Sequence, residues 1–470
     1  MKKIVTIKNL ISLIIIFLIS SYFLINSSSI NVAFLNNEQK EQIKKYFLPY
    51  TYISQQEETI SRLEETFYDQ NKAKDQNLFR YLAQLELSKV EAGDDIQIKK
   101  ITIELMNNLT LNKYQLLSGF YFGINNQYPG SGYIDFYEDN LVILSSRGVL
   151  AYKKNISNEN KSFKQIGNNI DDFISVKQYE KNNWFSLKDL LIFNDKVFIS
   201  FTEEIEDDCW NTSIIYGIMN YDDIAFTKLF SSTECVHTVN NLDGEFNAHQ
   251  SGGRIISFDK DHILLSIGDY RSRYLAQDEQ SVNGKIIKIN ILNSNYEIIS
   301  IGHRNPQGLY FDEINNFILE TEHGPKGGDE INIIDLNKIK KGEFQNFGWP
   351  ISSAGEHYGG KSLENNKKYE KYPLHNSHAE YGFIEPIKSF VPSIGISEIV
   401  KIGQNKYIVS SLRDQSIYFF ELDNQNIIVN FERIEVFERI RDLKFLNDQL
   451  YLFLEDTASI GVINLESLKY

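Results

Sequence analysis

The sequence predicts an all-β protein, a six-bladed β-propeller preceded by an N-terminal membrane helix and a short helical segment. Three observations carry that expectation. A strand–turn–strand unit recurs after Gly130, a lysine-led apolar run opens the chain, and a charged stretch of helical spacing lies between them.

The recurring unit is an apolar, β-branched strand, a turn carrying Asp or Asn, a second apolar strand and often a third. Six copies begin at Gly132, Leu187, Gly252, Pro306, Gly395 and Ile440, so their starts lie 55, 65, 54, 89 and 45 residues apart. Repeats of about 40–60 residues with several short strands each are the mark of a propeller, whose blades bury their faces only against their neighbours. The long fourth interval holds most of the eight prolines in the chain. Long ordered loops on a rigid repeat scaffold are where function concentrates.

Ahead of the repeats, Lys2, Lys3 and Lys8 precede an uncharged, mostly apolar run from Leu10 to Ile25. A basic flank before such a run is an export signal. Ser27 to Ser29 give a weak cleavage site, so residues 1–29 are expected to stay as an anchor that places the chain outside the cytoplasm, periplasmic or at the cell surface. Residues 30–112 are expected to form a helical stalk or cap, because Ile60, Leu63 and Phe67 recur at helical spacing among charges. The propeller is expected over residues 113–470. In an oxidising compartment Cys209 and Cys235 make a natural disulfide, the alternative being two unpaired buried thiols. A net charge of −15 disfavours a nucleic-acid partner.

One stretch differs from the rest: "GHRNPQGLYFDEINNFILETEHGPKGGDE", from Gly302 to Glu330. All eight histidines fall between His237 and His378. Four segments belong together here: "AHQSGGRIISF" with His249 and Gln250, "SIGDYRSR" with Asp269, "GHRNPQGL" with His303, Arg304 and Asn305, and "ETEHGPKGGDEIN" followed by "NFGWP". From residues alone, His249 and Asp269 suit either a proton-transfer pair or a loop and a turn. Arg304 suits either an anion site or a turn cap, and His303 with His323 leaves zinc open.

In that order the four motifs resemble the soluble glucose/sorbosone dehydrogenase family, the aldose sugar dehydrogenases, which are six-bladed propellers using pyrroloquinoline quinone (PQQ). The resemblance is strongest from about Gly244 to Tyr358 and fades before Trp184. It implies PQQ- and calcium-dependent oxidation of an aldose or sugar aldehyde at C1, with a small sugar and an external electron acceptor as partners. His249 would be the general base, Asp269 its orienting carboxylate, and Arg304 the third catalytic residue. Gln250, Arg304, Asn305 and Arg413, with His249, would contact the cofactor. The carbonyls of Gly324 and Pro325 would hold the calcium that also binds PQQ, and Glu330 with the Phe347 carbonyl a second, structural calcium. The chain departs from the family at Glu398, where a glycine is usual. Of the late cationic residues that some members use for the cofactor, only Arg413 can be placed. The competing reading is a propeller that binds a protein or glycan without turnover.

Overall fold

The computed structural model describes residues 95–116, 131–154, 156, 162–174, 178, 181, 185–360 and 363–466. The expected anchor over residues 1–29 and the stalk over residues 30–94 lie outside the described residues. The described chain is nearly all β. Six antiparallel groups follow one another, four-stranded except that the second has a fifth short strand, Val236–His237, with first strands at Gly132–Tyr137, Leu187–Phe193, Gly252–Asp259, Pro306–Asp312, Ile396–Gly403 and Ile440–Leu446. We call these groups blades one to six. Each first strand packs against the next, and the sixth packs against the first, so the ring closes. This is a propeller.

The pattern that builds it is two-residue alternation with both faces buried. Adjacent residues of one strand enter opposite cores. Leu190 joins Val142 and Leu144 between blades one and two, while Leu191 joins Ile255 and Leu265 between blades two and three. Likewise Ile318 packs on Leu264 of blade three, and Leu319 packs on Val409 of blade five. Further cores lie between blades five and six (Phe419, Leu452) and between six and one (Phe453, Leu141). Each side chain so buried contributes about 1.5–3 kcal/mol. Between strands, Asn194–Asp195 and Asn447–Asp448 have paired positive φ angles of 51° and 56°, and of 52° and 57°. Asn and Asp tolerate that left-handed pair, which makes the tight hairpin whose twist suits the strands.

The closure corrects one expectation. Residues 95–112, assigned from sequence to the helical stalk, contain strand Asp95–Glu104 and the start of Thr110–Leu116. Thr110–Leu116 is the outer strand of blade six, paired with Ser459–Asn464, and Asp95–Glu104 pairs both with it and with blade one. Ile96, Ile98, Ile101 and Ile103 alternate in twos or threes, which suits a strand with one wet face. Cys209 and Cys235 form the expected disulfide. Among the described residues no helix is long and apolar enough to cross a membrane.

One guanidinium ties the first strands together. Arg254 of blade three donates through its Nη1 to Asp189 of blade two (2.6 Å) and Asp442 of blade six (2.9 Å), and lies 2.7 Å from Glu398 of blade five. Its Nε donates to the Gln307 carbonyl of blade four at 2.9 Å. Asp442 also accepts from the Ile134 amide of blade one. All six blades therefore meet through this buried group. Removing one partner from such a network strands the others, so Arg254→Ala should destabilise the fold by about 3–5 kcal/mol in urea unfolding. A loss under about 1 kcal/mol would remove Arg254 from this role.

Burial pushes the Asp189 and Glu398 carboxyls up, to about 7 and about 8, against the pull of Arg254. The folded chain thus holds protons that the unfolded chain has released above its carboxylate range near 4. This contribution is complete at low pH and is lost as pH rises through about 7–8. The fall in melting temperature between pH 6 and 9 should accordingly be smaller in Glu398→Gln than in the parent protein. Equal slopes would mean that Glu398 ionises alike in both states.

Candidate active site

His249 sits in a single 3-10 turn, Ala248–Gln250, just before the first strand of blade three. The Asn247 side chain caps that turn, accepting from the His249 amide at 2.9 Å. The loop after the second strand of the same blade locks against it: Tyr270 N donates to the Gln250 carbonyl and Asn247 N to the Tyr270 carbonyl. The two loops run so close that a Cβ at Gly268 would lie 2.0 Å from the Gln250 carbonyl oxygen, so only glycine fits. His249 thereby faces a cavity inside the ring. Its surface is open to that cavity, yet it stands among enough protein to lose bulk water. That desolvation, with the charges of Lys188 and Arg441, holds its pKa well below the usual value of 6.5. That lowering favours the neutral imidazole.

Asp269 is fully buried, which raises its pKa against the pull of Arg304. Its carboxylate accepts from the Arg271 amide at 2.8 Å and from the Trp349 indole at 2.8 Å. The third bond comes from Gln250, whose amide nitrogen donates to Asp269 at 2.8 Å while its oxygen accepts from Arg304 Nη2 at 2.8 Å. Asp269 was expected to orient His249 directly. Its carboxylate instead grips the neighbouring Gln250, so its influence on His249 runs through the turn.

Arg304 is almost fully buried and lies over the Trp349 ring, 5.4 Å from its centre. Its Nη1 donates to the carbonyls of His323 (2.8 Å) and Gly324 (2.6 Å). Gly324, an expected calcium ligand, thus has its carbonyl engaged by Arg304, and Pro325 lies in the same wall. Asn305 lines the His249 cavity and accepts from the Gly252 amide at 3.1 Å. Arg413 lines it too.

Glu330 and Phe347 lie elsewhere, in a buried acidic group behind blade four. Glu330 pairs across the strands with Glu322, and Glu320 is adjacent. Phe347 stacks on His303, which approaches Glu322 at 3.3 Å and Glu320 at 3.8 Å. Burial, then the charge of Glu322, pushes Glu320 and Glu330 well above the usual carboxylate range. Glu320 Oε1 is buried with no hydrogen-bond partner among the described residues. His303, Glu320 and Glu322 present ligand atoms within 4.8 Å of one another. His323 belongs to a different place, bonded to the Ile396 carbonyl, so the two histidines do not form a zinc pair.

Sequence reasoning missed the strongest feature of the cavity. Besides Arg413 and Arg254, Lys188, Arg439 and Arg441 line it. Arg439 and Arg441 share Glu455, at 2.9 Å each. Burial, with Arg441 and Arg147 nearby, drives Lys188 down to about 7. Such crowding of like charge marks a cavity suited to a polyanion. The signal was "RIRD", whose two arginines are spaced to share one face of an extended chain.

The family model described as Glucose / Sorbosone dehydrogenase matches residues 191–463, more than half of the chain. The chain belongs to the glucose/sorbosone dehydrogenase family. An aldose sugar dehydrogenase of Escherichia coli is 24% identical over 289 residues, covering 56% of this chain and 71% of that protein. The quinoprotein glucose dehydrogenase B of Acinetobacter calcoaceticus is 33% identical over 132 residues, 22% of this chain and only 26% of that one. Among solved structures, the apo soluble aldose sugar dehydrogenase of E. coli superposes with a TM-score of 0.57 at 19% identity, covering 75% of this chain and 99% of that one. The PQQ-bound aldose sugar dehydrogenase of Streptomyces coelicolor gives 0.51 at 16% identity over 75% and 98%. These superpositions establish the propeller fold, shared with other glucose/sorbosone dehydrogenases.

Proposed function

We propose that this family member oxidises an aldose or sugar aldehyde at C1, with PQQ and calcium, outside the cytoplasm. The observation that carries the reading is an imidazole, His249, on the wall of a cavity lined by Lys188, Arg413, Arg439 and Arg441. A planar tricarboxylate fits that donor set, because guanidinium forks pair with carboxylates bidentately. PQQ, when bound, would supply the two-electron acceptor for the hydride leaving C1. His249 would take the proton from the C1 hydroxyl, a step for which a neutral imidazole is the right form. Gln250, held between Asp269 and Arg304, would keep the His249 turn in place. Arg304 and Asn305 would bind cofactor or substrate oxygens. The disulfide suits an oxidising compartment, and electrons would pass to an external acceptor.

The calcium sites are proposed on separate grounds. The clustered Glu320, Glu322 and Glu330, with an unpartnered buried oxygen, suit a hard cation that prefers carboxylates. At Gly324 and Pro325, the Arg304 fork would release a carbonyl when a cation arrives there.

Incubated with PQQ and calcium, the protein should reduce a redox dye in the presence of an aldose, and His249→Ala should slow turnover by roughly 10²–10⁴-fold. The acid limb of kcat/KM should lie below pH 6.5, the ordinary histidine value from which His249 is depressed. Turnover unchanged in the variant would take His249 out of the reaction. Chelating calcium should lower both activity and melting temperature, since an ion bound to the folded state stabilises it. If neither moves, the calcium assignment fails.

A further inference from the structure

We infer that the sugar taken by this site carries an anionic group, a carboxylate or a phosphate, and that Arg271 selects it. The inference rests on the sugar-oxidising reading and narrows its substrate class. The observation is a second, smaller pocket beside the His249 cavity that shares no lining residue with it. Its cations are Arg271, Arg273, Arg304 and Lys368, with Trp349 and Tyr358 among its walls. It joins the candidate active site through Arg304 and through Trp349, whose indole is bonded to Asp269.

The carboxylates nearby do not balance those charges. Glu245 is shared: Arg273 Nη2 donates to it at 2.8 Å, Lys368 pairs with its other oxygen, and Arg271 Nε stands off at 3.8 Å. Asp243 is taken up by Lys371, by Tyr372 and by the Arg273 amide. Asp269 lies behind, facing Arg304, and it accepts from the Arg271 backbone amide rather than from its guanidinium. The five cations named here face three carboxylates, in a chain whose net charge is −15. Positive charge has been gathered at this spot against the composition.

Arg271 is the member of the group left incomplete. Its Nε is buried and has no hydrogen-bond partner among the described residues. Leaving a charged donor unsatisfied is unfavourable, so it persists where a ligand completes it. The backbone is bent to hold it there: Tyr270 and Arg271 have consecutive positive φ angles of 50° and 71°, which side chains other than glycine's avoid. The guanidinium lies 5.7 Å from the centre of the half-exposed Tyr358 ring. A ring beside a cationic fork suits a sugar bearing one charged end, whereas a neutral aldose leaves the fork unmatched.

The test compares D-glucuronate, glucose 6-phosphate and D-glucose. Calorimetry on the protein without PQQ should show at least one anionic sugar binding roughly 10–100-fold more tightly than glucose at low salt, less so at high salt. Arg271→Gln should collapse that ratio, and Arg271→Lys should restore part of it. The winner between carboxylate and phosphate identifies the group. In the PQQ- and calcium-loaded protein the kcat/KM ratio should follow the same order. Equal affinities, or a preference that survives Arg271→Gln in a protein of unchanged melting temperature, would overturn the inference while glucose oxidation left the broader reading standing. Weakened PQQ binding in Arg271→Gln with an unchanged sugar ratio would also overturn it, assigning Arg271 to the cofactor. Binding without oxidation of any of the three by the loaded protein would instead remove the dehydrogenase reading on which the inference rests.

Discussion

The buried guanidinium of Arg254 is the constraint on which the rest of this propeller depends. Blades touch only their neighbours, so a ring of six could breathe at every seam. One side chain reaching Asp189, Glu398, Asp442 and the Gln307 carbonyl fixes the first strands of blades two to six relative to each other. The functional loops hang from the ends of those same strands. His249 precedes the strand that carries Arg254, Asn305 precedes the strand that carries Gln307, and Arg441 is the neighbour of Asp442. A shift at the hub is therefore a shift at the site. Burial, and then the crowding of three carboxylates around one guanidinium, is why two of them hold protons so far up the pH scale.

The same loops explain what the sequence made visible. Five of the six blade starts fall on the residue that the repeat predicted, and the remaining one begins at Ile396, one residue after Gly395. Gly, Pro and the Asn–Asp turns punctuate the strands, and these signals are local. The closing strands were not legible in the same way. Thr110–Leu116 pairs with residues 459–464 at the other end of the chain, and nothing within reach of a local window announces that partner. Ile96, Ile98, Ile101 and Ile103 did carry a strand-like pattern, but charged neighbours allowed a helical reading of the wider region.

For the site, the residues were legible and their connections were not. Gln250, Asp269 and Arg304 do meet, with contact running from Asp269 to Gln250 to Arg304, and His249 is tied to them through the turn it shares with Gln250. No sequence pattern distinguishes that from a direct bond to His249, because it depends on which face of a 3-10 turn each side chain takes. Glu330 and Phe347 were singled out, whereas Glu320 and Glu322 were not recognised as their company. A register of Glu322 opposite Glu330 exists only once two strands are paired. Arg439 and Arg441 escaped for a related reason: nearly two hundred residues separate them from His249, and only the closed ring brings them to it.

The electrostatics of the cavity then acquire a direction. Burial lowers both Lys188, to about 7, and His249, and the charge of Arg441 adds to the depression of each. A weakened imidazole is a reliable acceptor, since it is always deprotonated, but a poor base, since its conjugate acid is too strong. An anion entering beside Arg439 and Arg441 would offset the Arg441 charge felt by both groups, though not their burial.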